Sequence, residues 1–152
     1  MDVEARNWLN KPNLRSNLAL MEGFQNAALS RIPPRHEGLK AWVACHELVL
    51  AVYRVTSEWP SCERYGLTSQ ARRAAYSAAA NIAEGSAKRG SREFCRFLNM
   101  SLGSISELSY VLLLARDLRY LKVEEWGETE ALRDHAGRLT WGLYRSLDTK
   151  RG

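Results

Sequence analysis

The stretch ARRAAYSAAANIAEG, residues 71–85, decides the fold. Alanine is the best helix former, and this run is dominated by it. Ala71, Ala74, Ala75, Ser77, Ala78, Ala79, Ala80 and Ala83 give one helix an inward face of small side chains. Such a face lets a neighbouring backbone approach toward the low end of the usual ~8–10 Å interaxial distance. The pattern predicts a helix from about Thr68 to Gly85, with Gly85 as its C-terminal stop. Lys88, Arg89 and Gly90 then form a basic turn.

Downstream, Ser91 is placed to cap a third helix by accepting the amide of Phe94. Phe94, Leu98, Ser101, Ile105, Leu108, Leu112 and Ala115 alternate spacings of four and three, a heptad-like seam. Phe97, Leu102, Val111 and Leu114 widen that face, so this helix should touch neighbours on two sides. A turn around Tyr120 to Val123 leads into a fourth helix, from about Glu124 to Leu147. Trp126, Leu132, Leu139, Leu143 and Leu147 mark one of its sides. Glu124, Glu125 and Glu128 load its start, where acids suit the helix dipole.

Upstream, Leu39, Trp42/Val43, His46, Val49/Leu50, Tyr53 and Thr56 draw one stripe on a first helix. That helix begins near Leu39, and Trp59 and Pro60 end it. No segment shows sustained strand alternation. Four helices with short connections predict an all-α, antiparallel up-down-up-down four-helix bundle spanning residues 38–149. Residues 1–37 read as a loosely ordered N-terminal extension, rich in Asn, Ser, Pro and Gly and closed by Pro33 and Pro34.

The chain has 152 residues, enough for one domain with a real core. Its formal net charge is +5, unevenly spread. Arg64 to Arg96 holds seven bases against two acids, whereas Asp117 to Asp134 holds six acids against three bases. A basic excess favours anionic partners. Three cysteines at irregular spacing argue against a disulfide framework. No CxxC or His/Cys cluster suggests zinc, and no cofactor motif is present. No apolar run approaches the ~18 residues of a membrane span, and the start Met-Asp-Val-Glu does not read as a secretory signal. The expectation is a cytoplasmic protein without a membrane partner.

Several motifs fall in order along a known pattern. They are HEGLKAW at 36–42 with ACH at 44–46, and YGLTSQ at 65–70 with RRAA at 72–75. SAAANIAEGS at 77–86 follows, then Phe94 to Glu107 with RFLN at 96–99 and LGS at 102–104. Over residues 36–121, more than half the chain, the sequence resembles the four-helix-bundle protein family encoded in 23S ribosomal RNA intervening sequences. That family is in turn similar to the accessory variability proteins of diversity-generating retroelements. The resemblance implies a homopentamer that binds nucleic acid, RNA or DNA, and in some settings a reverse transcriptase. Residues 1–37 and the far C-terminus depart from the pattern, so nothing carries over there.

The basic group supplies a physical reading of its own. Arg72 and Arg73 lie on the second helix. Lys88, Arg89, Arg92 and Arg96 should meet at one end of the bundle, where a helical hairpin would gather them. Arginine forks pair well with phosphate, and such contacts are sequence-independent and driven largely by counterion release. The bland alternatives are a solvated face with internal ion pairs, or a surface for a protein partner. No aromatic residue is interleaved with these cations as a stacking platform, which argues against base readout.

Ser77, Asn81 and Glu84 share one helix face, and with Arg73 nearby they suggest a buried structural polar network that Glu107 can join. His46 reads as a packed, hydrogen-bonded core histidine. No Glu-x-x-His pair supports di-metal chemistry. Ser104 and Ser106 lack the glycine elbow of a serine nucleophile. Residues 85–90 lack phosphate-loop spacing. Cys95, near Arg92 and Arg96, reads as a small hydrophobe before it reads as a reactive thiol. The expectation is therefore a non-catalytic, oligomeric nucleic-acid-binding scaffold. The alternative is a protein-interaction scaffold whose arginines serve assembly.

Overall fold

The computed structural model describes residues 33–149. Four α-helices account for most of them: α1 (Lys40–Val55), α2 (Leu67–Ala87), α3 (Ser91–Asp117) and α4 (Val123–Asp148). Short 3-10 turns at Arg35–Gly38 and Ser61–Glu63 precede α1 and α2. There is no strand among the described residues. α1 packs on α2, α2 on α3, α3 on α4 and α4 back on α1, so the four close an antiparallel ring. Residues 35–38 pack on α1 and α2. The remainder of the expected extension, residues 1–32, lies outside the described residues.

The alanine face of α2 does what its small side chains allow. Ala71, Ala74, Ala75, Ala78 and Ala79 are buried, and the backbone is near enough for Ser101 of α3 to donate to the Ala78 carbonyl at 2.8 Å. Ser101 is fully buried, so this bond satisfies a hydroxyl that water cannot reach. The seam of α3 is the core of the molecule. Leu98, Leu108 and Leu112 are fully buried, as is Leu48 of α1. Each stabilises the fold by roughly 1.5–3 kcal/mol relative to exposure.

Two expectations about helix ends are corrected. Gly85 does not stop α2, which continues to Ala87. It is buried, and a Cβ there would lie 2.6 Å from Phe97 Cβ and 2.8 Å from Phe94 Cδ2. Glycine is needed at this point because α3 crosses too close for any side chain. The turn glycine is Gly90, whose φ of +86° suits a residue without Cβ. Gly90 also takes the N-cap position of α3, and no side chain caps that helix, so Ser91 does not play the predicted part.

On α1 the predicted stripe is displaced. The residues that enter the core are Ala41, Ala44, Cys45, Leu48, Ala51, Val52 and Val55. Val43, His46, Leu50 and Tyr53 are exposed, while Trp42 and Val49 are half-buried. The larger side chains drew the sequence reading outward, whereas a core built on alanine takes the smaller ones. α1 therefore carries a second, outward apolar stripe.

An 18-residue window of α3 is also apolar enough on average to cross a membrane, with mean hydropathy 1.3. The sequence expectation counted only uninterrupted apolar runs and missed this. In the bundle α3 packs against both α2 and α4, which accounts for its apolar width.

Candidate nucleic-acid interface

The three-residue turn Lys88–Gly90 brings the ends of α2 and α3 together, and with them Lys88, Arg89, Arg92 and Arg96. All four are exposed. They divide into two kinds. Lys88 pairs with Glu84 at 3.1 Å and Arg96 with Glu93 at 3.5 Å. Both are solvent-exposed pairs within one helix, worth about 0–1 kcal/mol, and a stronger anion can displace them. Arg89 and Arg92 make no ion pair among the described residues. Below the cluster sits the Phe97 ring, 5.4 Å from Lys88 Nζ and 5.9 Å from Arg96 Cζ. Phe97 is itself buried, so it steadies the two cations without offering a face to a ligand. A shallow hollow of about 470 Å³ beside them is lined by Arg92, Cys95, Arg96, Asn99, Met100 and Tyr144.

Arg72 and Arg73 belong to a second cation group. They lie about 16 residues before Arg89, which at 1.5 Å per residue is roughly 24 Å along α2. Arg73 is exposed and has no ion pair among the described residues. Arg72 is half-buried and donates from Nε to Thr56 Oγ1 at 2.8 Å, with its guanidinium 4.7 Å from the centre of the Tyr53 ring. Neutral groups hold it, so its charge is not cancelled.

Sequence reasoning missed what surrounds this second group. A groove of about 430 Å³ is lined by Tyr53, Arg64, Tyr65, Thr68, Ser69, Arg72, Arg73 and Tyr76. Aromatic rings are therefore interleaved with the cations, contrary to expectation. Tyr76 was detectable, since it stands four residues after Arg72 and three after Arg73. Tyr53 and Tyr65 come from other segments and needed the α1–α2 hairpin to reach the site.

The predicted polar network does not form as drawn. Asn81 donates to the Ser77 carbonyl at 2.8 Å and lies 3.1 Å from the Ser77 hydroxyl, which in turn accepts from Ser104 at 2.9 Å. Glu84 is exposed and engaged by Lys88, and Glu107 is exposed. Two carboxylates at the surface keep their hydration, whereas hydroxyl and amide groups suffice in the half-buried gap between α2 and α3. His46 is not a core residue either. It is exposed, with its ring stacked on Trp42 at 5.1 Å. Cys95 is buried. Among the described residues no group of His, Cys, Asp or Glu is arranged to hold a metal ion.

Fold and surface together define an all-α four-helix bundle with cations gathered at two places along α2. The model of the 23S rRNA-intervening sequence protein family matches residues 37–142, well over half the chain. The chain belongs to that family. Among solved structures it is similar to a protein of unknown function from the S23 ribosomal protein family of Bacteroides thetaiotaomicron VPI-5482. The two share 19% identity with a TM-score of 0.63, over 68% of this chain and 97% of the other, a likeness of fold. No curated protein matches the chain.

Proposed function

We propose that this chain is a non-catalytic scaffold that grips the phosphate backbone of nucleic acid and multiplies a weak grip by self-association. The observation that carries the reading is the end of the α2–α3 hairpin. Arg89 and Arg92 stand there exposed and without an acid partner among the described residues, flanked by Lys88 and Arg96 in displaceable surface pairs. Arg72 and Arg73 supply further positive charge along the same helix. Each contact to phosphate releases counterions, so affinity should fall steeply with salt. The family relation, with the homopentamer it leads one to expect, and the outward pair Val43 and Leu50 on α1 support self-association. Repetition of the patch then raises avidity without new contacts.

The test is binding of a labelled duplex at several salt concentrations, with light-scattering mass measured alongside. The expected particle is several times the 17.3 kDa chain and gains mass with duplex at low salt. R89E/R92E should weaken binding and lower the salt slope by about 2, near 0.9 per lost phosphate contact. Undetectable binding at low salt, or an unchanged R89E/R92E variant, would sink the proposal. A multimer indifferent to nucleic acid would favour the protein-interaction scaffold.

A further inference from the structure

The tyrosine-lined groove at the start of α2 does more than add charge. Its large residues include Tyr53, Arg64, Tyr65, Arg72, Arg73 and Tyr76, and no acid lines it among the described residues. Tyr65 is 91% exposed and Tyr76 64% exposed, so two broad aromatic faces stand in water beside three guanidinium groups. A single exposed tyrosine needs no explanation. Three converging on a groove with three arginines, drawn from α1, the α1–α2 connection and α2, form a surface of one chemistry.

That chemistry is specific. Arg72 is already fixed, by Thr56 Oγ1 on one side and by the Tyr53 ring on another. Thr56 is itself buried and tied to the Val52 carbonyl at 2.7 Å. Little side-chain entropy remains to be lost when an anion arrives. The carboxylate of Glu63, next to Arg64 in the chain, is held at the start of α2, accepting the Leu67 amide at 2.8 Å. A ligand suited to this groove is anionic along its length and presents flat π faces. Unpaired nucleotides meet both conditions, because every base has a face to stack and every linkage carries a charge. A duplex meets only the first, the charge, since its faces are hidden in the base stack.

We propose that this groove binds single-stranded nucleic acid by stacking bases on Tyr65 and Tyr76, with Arg64, Arg72 and Arg73 on the adjoining phosphates. The idea rests on the proposed phosphate-gripping function and assigns a strand preference to one part of the surface. The arginines at the α2–α3 turn, roughly 24 Å away along α2, would take single and double strands alike.

The experiment compares an oligothymidine strand with a duplex of equal length, by fluorescence anisotropy, on three proteins: the full chain, Y65L/Y76L and R89E/R92E. Leucine keeps an apolar side chain but removes the flat ring, and both positions are exposed, so folding should survive; circular dichroism checks this. Y65L/Y76L should lose roughly tenfold or more for the single strand and leave duplex affinity as it was. Y65F/Y76F should bind both as the full chain does, because the ring and not the hydroxyl is used. R89E/R92E should weaken both. If Y65L/Y76L binds the single strand normally while R89E/R92E is impaired, the stacking groove is wrong and the phosphate grip stands. If the full chain binds neither strand, both ideas fall. If polyglutamate competes with oligothymidine as well as unlabelled oligothymidine does, the groove recognises charge alone and the strand preference is overturned.

Discussion

Cys45 illustrates how far a single residue can be pushed by its surroundings. It is fully buried, with its sulfur 3.8 Å from Thr140 Oγ1. Burial raises the thiol from 9.0 to about 11, while hydroxyls of Thr140 and Ser101 pull slightly the other way. A folded-state pKa above the unfolded one means the stabilising contribution is complete below about pH 9 and is lost as pH rises toward 11. At ~1.36 kcal/mol per pH unit this amounts to roughly 2–3 kcal/mol. Denaturant unfolding followed from pH 8 upward should show that decline, and Cys45→Ala should flatten it. An equally steep decline in the variant would assign the effect to other groups. In the native state at neutral pH, an alkylating reagent should label Cys62, which is exposed, and spare Cys45. None of this was legible in the sequence, where Cys45 and Cys62 look alike. Thr140 lies 95 positions from Cys45.

At the scale of elements, legibility followed how far neighbours determine a pattern. The seam of α3 was readable because bulky residues at alternating spacings of four and three have one sensible direction. The inner face of α1 was not, because alanines and Cys45 compete there with a louder line of aromatic and aliphatic residues that faces outward. The cation cluster at the α2–α3 turn was readable from spacing alone, as a short turn leaves its residues nowhere else to go. The tyrosine groove needed three segments to converge. Gly85 and Gly103 separate packing from propensity in one experiment. Gly85→Ala puts a methyl group against Phe97 and Phe94 and should cost about 1–3 kcal/mol. Gly103 is exposed within α3, and a Cβ there meets nothing within 4 Å. Gly103→Ala should therefore stabilise by roughly 0.5–1 kcal/mol, since a helix interior favours alanine. Thermal melts of the two variants check both signs, and a neutral Gly85→Ala would mean that α2 and α3 stand farther apart than described.

Over the whole molecule, burial is uneven. α2 and α3 hold most of the fully buried side chains, whereas the buried residues of α4 are only Thr129, Ala136 and Thr140. Leu132, Leu139, Leu143 and Leu147 of α4 are half-buried. Local opening begins where few apolar contacts oppose it. Hydrogen exchange should find the amides of α2 and α3 protected to near the global unfolding free energy, and those in the last turns of α4 exchanging much sooner. Uniform protection across all four helices would contradict this ranking.

The α2–α3 hairpin, closed by Lys88–Gly90 and locked at Gly85, has a consequence in time as well as space. Its connection, Lys88–Gly90, is the shortest of the three that join the helices. Contacts of short sequence separation form early, before loops of greater length are closed. The hairpin is thus the natural first piece of the bundle to assemble, and it carries both cation groups. During synthesis, those positive charges would be arrayed before α4 has left the ribosome, whose RNA is itself a phosphate polymer.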